Sequence, residues 1–306
     1  MRQLVSPCDL AFLPLTHTPY RSLMTTPSDS AQPLRYSHGH QPAVLASHGT
    51  RTAATSCAYF LDRLRPGMRI LDLGCGPGSI TLDLAELVGP TGQVVGVDFS
   101  EDAVAAAREN ARRRADTTTT FLASDLFTVG VETGSFDVVH AHQVLQHVPD
   151  PVAALRAMAM HCAEDGIIAC RDADYGAMVW HPESAGLDRW RETYCASARA
   201  LGGEPDAGRR LRAWAHEAGL DVETAQSSTW TYATPESTRW WGDSQAERVR
   251  TSGFADRARE EGLSPDEVEQ IAFAWQDWGH SPDAWFCMPH GEVIARPDFA
   301  ARCARV

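Results

Sequence analysis

The chain contains no lysine: all 27 of its basic residues, in a length of 306, are arginines. Without a lysine amine no Schiff base can form on the protein, which excludes lysine-bound pyridoxal phosphate. A Gly-Lys-Ser/Thr phosphate loop is excluded for the same reason. Long apolar runs are missing too. None reaches the roughly 18–20 residues that a membrane span needs. The first residues lack the charged-then-apolar layout of a signal peptide, because Ser6, Pro7, Asp9 and Pro14 interrupt it. The eight cysteines form no Cys-x-x-Cys pair and no zinc-ligand spacing, and read as reduced thiols of a cytoplasmic protein. Positive charge is scarce, with a formal net charge of −13. A field of that sign repels phosphate backbones and anionic membranes. The longest basic cluster, Arg112-Arg113-Arg114, reads as the solvated end of a helix. Nucleic acid is therefore not an expected partner.

What is present changes character along the chain. Residues 1–34 hold five prolines, which argue against a long helix. Leu10, Phe12, Leu13, Leu15, Tyr20, Leu23 and Met24 are nonetheless too apolar for a simple tail, so an arm that docks on something is expected. In the segment 35–66, Ala53, Ala54, Cys57, Ala58, Leu61 and Leu64 recur at helical spacing before Pro66-Gly67, and predict one helix. Residues 67–175 alternate strands with helices, which implies a parallel sheet covered on both faces. The strands are expected at Arg69–Leu73, Val94–Asp98, Phe121–Ala123, Phe136–Ala141 and Gly166–Arg171. Ser100 and Asp150 are the expected helix caps, the latter followed by Pro151. All nine tryptophans lie in the remainder, at or beyond Trp180. There, residues 176–283 predict a helical, Trp-rich cap with some sheet elements, and 284–306 a closing strand at about Trp285–Ala295.

The strongest local signal is Ile70-Leu71-Asp72-Leu73-Gly74-Cys75-Gly76-Pro77-Gly78, a strand running into a loop of three glycines and then a helix. Such glycines permit tight dihedrals and close approach of a ligand to the backbone. Asp98, at the end of the next strand, is placed to accept from ribose hydroxyls. The dinucleotide fingerprint GxGxxG differs, because Ser79 stands where its third glycine would be. Asp72 also sets a carboxylate at the loop entrance, a poor neighbour for pyrophosphate but a good one for an ammonium. Both departures point to a nucleoside ligand with an ammonium group and no phosphate.

These residues, together with Asp98-Phe99, Ser124-Asp125-Leu126, Phe136–Val139 and Leu145-Gln146-His147-Val148-Pro149-Asp150, resemble the successive motifs of class I S-adenosylmethionine (SAM)-dependent methyltransferases. Their order is similar to the ubiquinone/menaquinone C-methyltransferase-like subgroup. Tyr36–His40 and Ser47-His48…Arg51-Thr52 resemble an N-terminal signature of one bacterial and fungal branch. The resemblance implies an α/β, Rossmann-like sheet of order 3-2-1-4-5-7-6 with strand 7 antiparallel. It places Asp72 and the backbone of Gly74, Cys75, Gly76 and Gly78 by the methionine part of SAM. Asp98 would take the ribose, Phe99 the adenine face, and Asp125, between Ser124 and Leu126, the adenine amino group. The segment His140–Gln143, with His142 and Gln143, would border the sulfonium, and Tyr36 and Arg51 would reach the SAM carboxylate. Arg51 reads equally well as a surface ion-pair residue.

Methyl transfer is an in-line displacement, for which the protein supplies alignment and a dry site. A base is needed only when the acceptor must lose a proton; His142, His147, Tyr175 and His290 are the candidates. His147 reads also as a capping or core residue, and His38, His40 and His48 as packing residues. No histidine or cysteine grouping predicts a metal. For the acceptor, the tryptophans predict an apolar pocket, with Tyr20, Trp180, Trp230, Trp240 and His290 as its expected lining, while Trp275 and Trp278 read as cap core. Three functions compete: a specialised-metabolism methyltransferase acting on an aromatic or isoprenoid molecule, a respiratory quinone C-methyltransferase, and a non-catalytic SAM-binding module. The arm is expected to cover the active site of its own subunit or of a neighbour in a homo-oligomer.

Overall fold

The computed structural model describes residues 51–298. Tyr20, Tyr36, His38, His40, His48 and the whole N-terminal arm lie outside the described residues. Five strands build the parallel part of the sheet: β1 (Arg69–Leu73), β2 (Gln93–Asp98), β3 (Thr119–Ala123), β4 (Phe136–His142) and β5 (Cys162–Ala173). The centres of β1, β2 and β4 (Ile70-Leu71, Val94-Val95 and Val138-Val139) are aliphatic and buried, as strands covered on both faces must be. The helices α2 (Ser79–Val88), α3 (Glu101–Arg113) and α4 (Pro151–His161) cross between them. Ser100 and Asp150 cap α3 and α4 as the sequence predicts, accepting from Ala103 and Ala153.

Three further strands finish the sheet: β6 (Val179–His181), β7 (Leu220–Tyr232) and β8 (Trp285–Pro297). The order is β3-β2-β1-β4-β5-β8, with β7 on the other side of β8. β8 runs antiparallel to both β5 and β7. The three-residue β6 pairs with the start of β8. Leaving out this short strand, the order is the one the resemblance implies.

The helix expected from Ala53 to Leu64 is not continuous. α1 (Ala53–Ser56) starts at a Thr52–Thr55 capping box and stops after one turn. The chain then bends so that Cys57, Phe60 and Leu64 all press on Ile70, Val138, Ile167 and Ile294 of the sheet. In α2, Ile80, Leu84 and Val88 are buried, while Leu87 is exposed.

Beyond β5 the cap is built from α5 (Ala185–Ala200), α7 (Pro235–Thr251), α8 (Phe254–Glu260) and α9 (Pro265–His280). Trp190, Trp241, Trp275, Trp278 and Phe286 make its core, so Trp275 and Trp278 are indeed core residues. α6 (Leu211–Ala218) packs on the other side, against α4. A short 3-10 turn at Ala207–Arg210 leads into it and lies backbone-to-backbone on β8. The fit is tight at Gly208 and Gly291, where a Cβ added to Gly291 would overlap the Gly208 carbonyl. Gly291→Ala must therefore push this turn off the sheet. Overpacking of this kind costs about 1–3 kcal/mol. We expect the urea midpoint to fall accordingly, and an unchanged midpoint would show that the contact is loose.

Candidate active site

The loops that follow β1, β2, β3 and β4 all emerge at the carboxyl edge of the sheet, where open α/β sheets bind ligands. The glycine loop folds by necessity. Gly74, Gly76 and Gly78 all have positive φ, and a side chain at Gly74 would collide with Val144. Gly76 differs, because among the described residues a Cβ there would meet nothing within 4 Å. Asp98 ties the loop down, accepting from the Gly76 amide at 2.9 Å through Oδ2 and from the Ser100 amide at 2.9 Å through Oδ1. Phe99 beside it is 47% exposed, an unusual position for a large apolar ring. Ser124, Asp125 and Leu126 are half-buried at the end of β3, where Asp125 accepts from the Phe127 amide.

Asp72 is only 2% exposed, and both of its oxygens have partners inside the protein. Thr81 donates to one at 2.6 Å and the His140 Nδ1 lies 2.7 Å from the other. Burial pulls the His140 imidazole down, but the Cys57 thiol and Asp72 carboxylate beside it outweigh that and hold it up at about 10. Asp72 and His140 are thus an ion pair that braces the floor of the loop.

One level nearer the carboxyl edge, the strand register brings His142, Arg171, Glu292 and Gln226 into a row across β4, β5, β8 and β7. Arg171 donates to Glu292 at 3.0 Å, and Gln226 donates to the other oxygen of Glu292 at 3.0 Å. Ser228 also bonds both Arg171 and Glu292. His142 ends this row, and among the described residues neither of its ring nitrogens has a hydrogen-bond partner. Burial first, then Arg171 and Arg51, push its pKa well below the usual value, so the ring is neutral at physiological pH.

Gln143 follows, and adopts a left-handed backbone with φ of 55°. A non-glycine residue held there costs about 1–3 kcal/mol unless its surroundings fix it. Its side chain supplies that fixing. Oε1 accepts from Arg51 at 2.9 Å, Nε2 lies 2.8 Å from His290 Nε2, and the backbone amide donates to Arg171 at 2.7 Å. Because the Nδ1 of His290 faces the Met288 carbonyl at 3.0 Å, that nitrogen carries the proton and Nε2 accepts from Gln143.

A cavity of ≈ 650 Å³ opens beside Gln143, under the cap. Tyr175, Trp190, Trp230, Tyr232, Trp240 and Trp241 supply its aromatic walls, and Arg51 and Arg248 its charge. Of the residues expected to line an acceptor pocket, Trp230 and Trp240 border this cavity, and Tyr175, read from sequence as a candidate base, borders it too. Trp180 and His290, expected there as well, do not. Trp180 stacks on Phe286 at 5.9 Å, with the Arg191 guanidinium over its ring at 4.6 Å, and is not part of the lining. His290 is buried against Trp230 and Gln143 rather than lining the cavity. Trp190 and Trp241 were not foreseen, since a tryptophan on a helix face reads the same whether it meets a core or a cavity. Arg171 and Glu292 were missed as well, although a charge ending an aliphatic strand, as in Ile167–Arg171, was a usable signal.

His147 is half-buried, with Gln146 Nε2 3.0 Å from its Nε2, and desolvation pushes it down to about 3. Next to it, Asp172 accepts from the Gln146 amide through Oδ1, while Oδ2 has no partner. Among the described residues no cluster of three or more His, Cys, Asp or Glu could hold a metal ion.

Residues 64–233 match the family model described as a methyltransferase domain, more than half of the chain. The chain belongs to that family. An uncharacterized methyltransferase of Schizosaccharomyces pombe is 31% identical over 287 residues, 90% of this chain and 100% of that one. A probable methyltransferase, ltbC, of Aspergillus luteorubrus is 26% identical over 88% of this chain and 99% of its own length. A demethylmenaquinone methyltransferase of Lactococcus lactis is 36% identical over 36% of this chain and 43% of its own. The fold is shared with the cyclase SpnF, at 21% identity, a TM-score of 0.50, and coverage of 83% of this chain and 81% of that one. A Haemonchus contortus phosphoethanolamine N-methyltransferase, solved with S-adenosylhomocysteine, is also similar, at 19% identity and a TM-score of 0.50 over 79% of this chain and 52% of that one. This methyltransferase is therefore a class I enzyme that uses SAM. Among the described residues nothing lies within 4 Å of a Cβ built on Gly76, and the carboxylate and exposed phenyl ring beside it suit a nucleoside of that kind. When bound, SAM supplies an activated methyl group.

Two measurements test this geometry. Asp98→Ala removes the acceptor at the end of β2. Losing a hydrogen bond to a charged group costs about 1.5–3 kcal/mol, so calorimetry should show SAM affinity falling roughly tenfold or more. Equal affinity in the variant would rule out Asp98 as the ribose acceptor. The second concerns pH. Burial raises the Asp172 carboxyl to about 7, although the amides of Gln146 and Leu145 draw it down. A folded pKa above the unfolded one means that the native state binds the extra proton. The stability tied to that proton is present below about pH 4 and is lost as pH rises through about 7. Asp172→Asn should therefore raise the melting temperature relative to the parent at pH 8 more than at pH 5; the reverse order would sink the assignment.

Proposed function

We propose that this methyltransferase transfers the SAM methyl group to an apolar aromatic or isoprenoid small molecule of specialised metabolism. The carrying observation is the aromatic cavity beside Gln143, at the end of β4. In this reading Asp98 holds the ribose, Phe99 covers the adenine, Asp125 accepts from its amino group, and Arg51, with Tyr36, takes the SAM carboxylate. Arg suits that role because its fork matches a carboxylate. His142 is the favoured base for acceptors that must lose a proton, being neutral with both nitrogens unpartnered. Tyr175 lines the cavity, while His147 is bonded to Gln146 and reads better as a positioning residue.

A respiratory quinone C-methyltransferase is the second reading. The match to the demethylmenaquinone enzyme covers 36% of this chain, and the tryptophan-lined cavity goes beyond it. A non-catalytic SAM-binding module is the third. We further propose a cytoplasmic enzyme that avoids nucleic acid. Residues 8–25 would close the site, in the same subunit or across a homo-oligomer. Among the described residues no helix is long and apolar enough to cross a membrane.

The test is S-adenosylhomocysteine formation across a panel of phenols, aryl acids, aryl amines, prenyl compounds and demethylmenaquinone, with the full chain and with a chain lacking residues 1–30. Turnover on aromatic or prenyl acceptors, lowered by truncation, is expected. SAM binding without turnover on any acceptor would favour the non-catalytic module. Preference for demethylmenaquinone would favour the respiratory reading.

A further inference from the structure

Gln245 lies on α7, is only 3% exposed, and borders the cavity under the cap. Trp241, one turn before it, and Arg248, one turn after, border the cavity too. Positions i, i+4 and i+7 thus turn one stripe of the helix towards that space. The rotation of α7 is held from behind by its close contact with α9. A Cβ added to Gly242 would lie 2.5 Å from the Trp275 carbonyl, and one added to Gly279 would lie 3.0 Å from Gly242.

Among the described residues the Gln245 carboxamide has no hydrogen-bond partner. Other polar side chains of the lining are engaged. Gln143 is bonded to Arg51 and His290, and Thr55 to Thr52. Arg51 and Arg248 are not free either, since each has further interactions. Burying an amide without a partner is unfavourable, and a leucine or methionine would border an apolar cavity without that cost. The surroundings are of that apolar kind, with Met178, Trp190, Trp230 and Met288 on the walls. The amide is therefore matched to something that enters.

A carboxamide presents a carbonyl acceptor and an N–H donor side by side. A carboxylate on the ligand would satisfy the N–H and repel the oxygen; an ammonium would do the reverse. A neutral group with one donor beside one acceptor satisfies both. We propose that the acceptor molecule is a neutral aromatic compound with a lactam or carboxamide edge, which pairs with Gln245 through two parallel hydrogen bonds while its ring lies among the tryptophans. This rests on reading the cavity as the acceptor site. Gln245 is then a specificity-determining residue. A ligand without the edge leaves the amide buried and unbonded, and sites of that design reject such analogues strongly.

Calorimetry on the full chain with S-adenosylhomocysteine tests this with three bicyclic probes of nearly one shape. 2-Quinolone has a donor and an acceptor on adjacent atoms, quinoline an acceptor only, and naphthalene neither. A cavity that merely buried apolar surface would rank naphthalene first. 2-Quinolone should instead bind about tenfold or more tightly than naphthalene, with quinoline between them, as one or two added hydrogen bonds imply. Gln245→Met keeps the length of the side chain and removes both polar atoms. It should put naphthalene first, with naphthalene itself bound as in the parent or more tightly, which also reports an intact cavity. If the variant does not fold, the ranking in the parent decides. Equal binding of the three probes, as if water served the amide whatever the ligand, overturns the proposal. So does a preference for 2-quinolone that survives Gln245→Met. Binding of none of the three would overturn the acceptor-site reading as well, whereas equal binding leaves that reading standing.

Discussion

Keeping the guanidinium of Arg171 inside the sheet is the constraint on which the active-site architecture depends. The side chain is almost wholly buried, on a strand whose preceding residues are aliphatic or small. Removing one charge of a buried pair costs about 3–5 kcal/mol, because the other is left without compensation. Glu292 must therefore stand opposite, which fixes the register of β8 against β5. Ser228 and Gln226 complete the set, which fixes β7 against β8. The same arginine carries Trp230 over its guanidinium and accepts the Gln143 amide on its backbone carbonyl. Cavity wall, sheet register and the turn after β4 are thereby joined at one side chain.

The ligand-facing edge is polar in two levels. Asp72 and His140 form the lower one and His142, Arg171, Glu292 and Gln226 the upper, while the level beneath both is aliphatic, with Ile70, Val138 and Ile167. Such an arrangement confines charge to where a ligand arrives and leaves hydrophobic burial to hold the strands. It also separates tasks. The glycine loop and Asp98 lie at β1 and β2, whereas the aromatic cavity lies across β7, β8 and the cap, with Gln143 between them. In the proposed reading, one half recognises the cofactor through backbone geometry and the other selects the acceptor through side chains.

Much of the first half was legible in the sequence because it rests on local rules. The three glycines of the loop are demanded by positive φ, and Ser100 and Asp150 cap helices whatever their tertiary context. The second half depends on contacts distant in sequence. Nothing around Gln143 announces a left-handed backbone, since the bonds that hold it come from Arg51, Arg171 and His290. The short α1 is a similar case. Its helical spacing of Ala53, Cys57, Ala58, Leu61 and Leu64 is real, but Cys57 and Phe60 gain more by both reaching the sheet near His140. Trp180 reads from sequence like Trp230, and only the stacking of Phe286 decides that it packs instead.

Among the described residues, β8 is the last of the eight strands to leave the ribosome, yet it lies between two others. Until it arrives, β7 has no partner in the sheet and β5 has one open edge. Glu292, which neutralises Arg171, and His290, which braces Gln143, arrive with it. During synthesis the nascent chain must therefore carry an uncompensated guanidinium in water, and the two halves of the enzyme are sewn together by its final strand. The cofactor half can take shape while translation is still under way, but the acceptor cavity becomes a cavity only once that strand has slid into place.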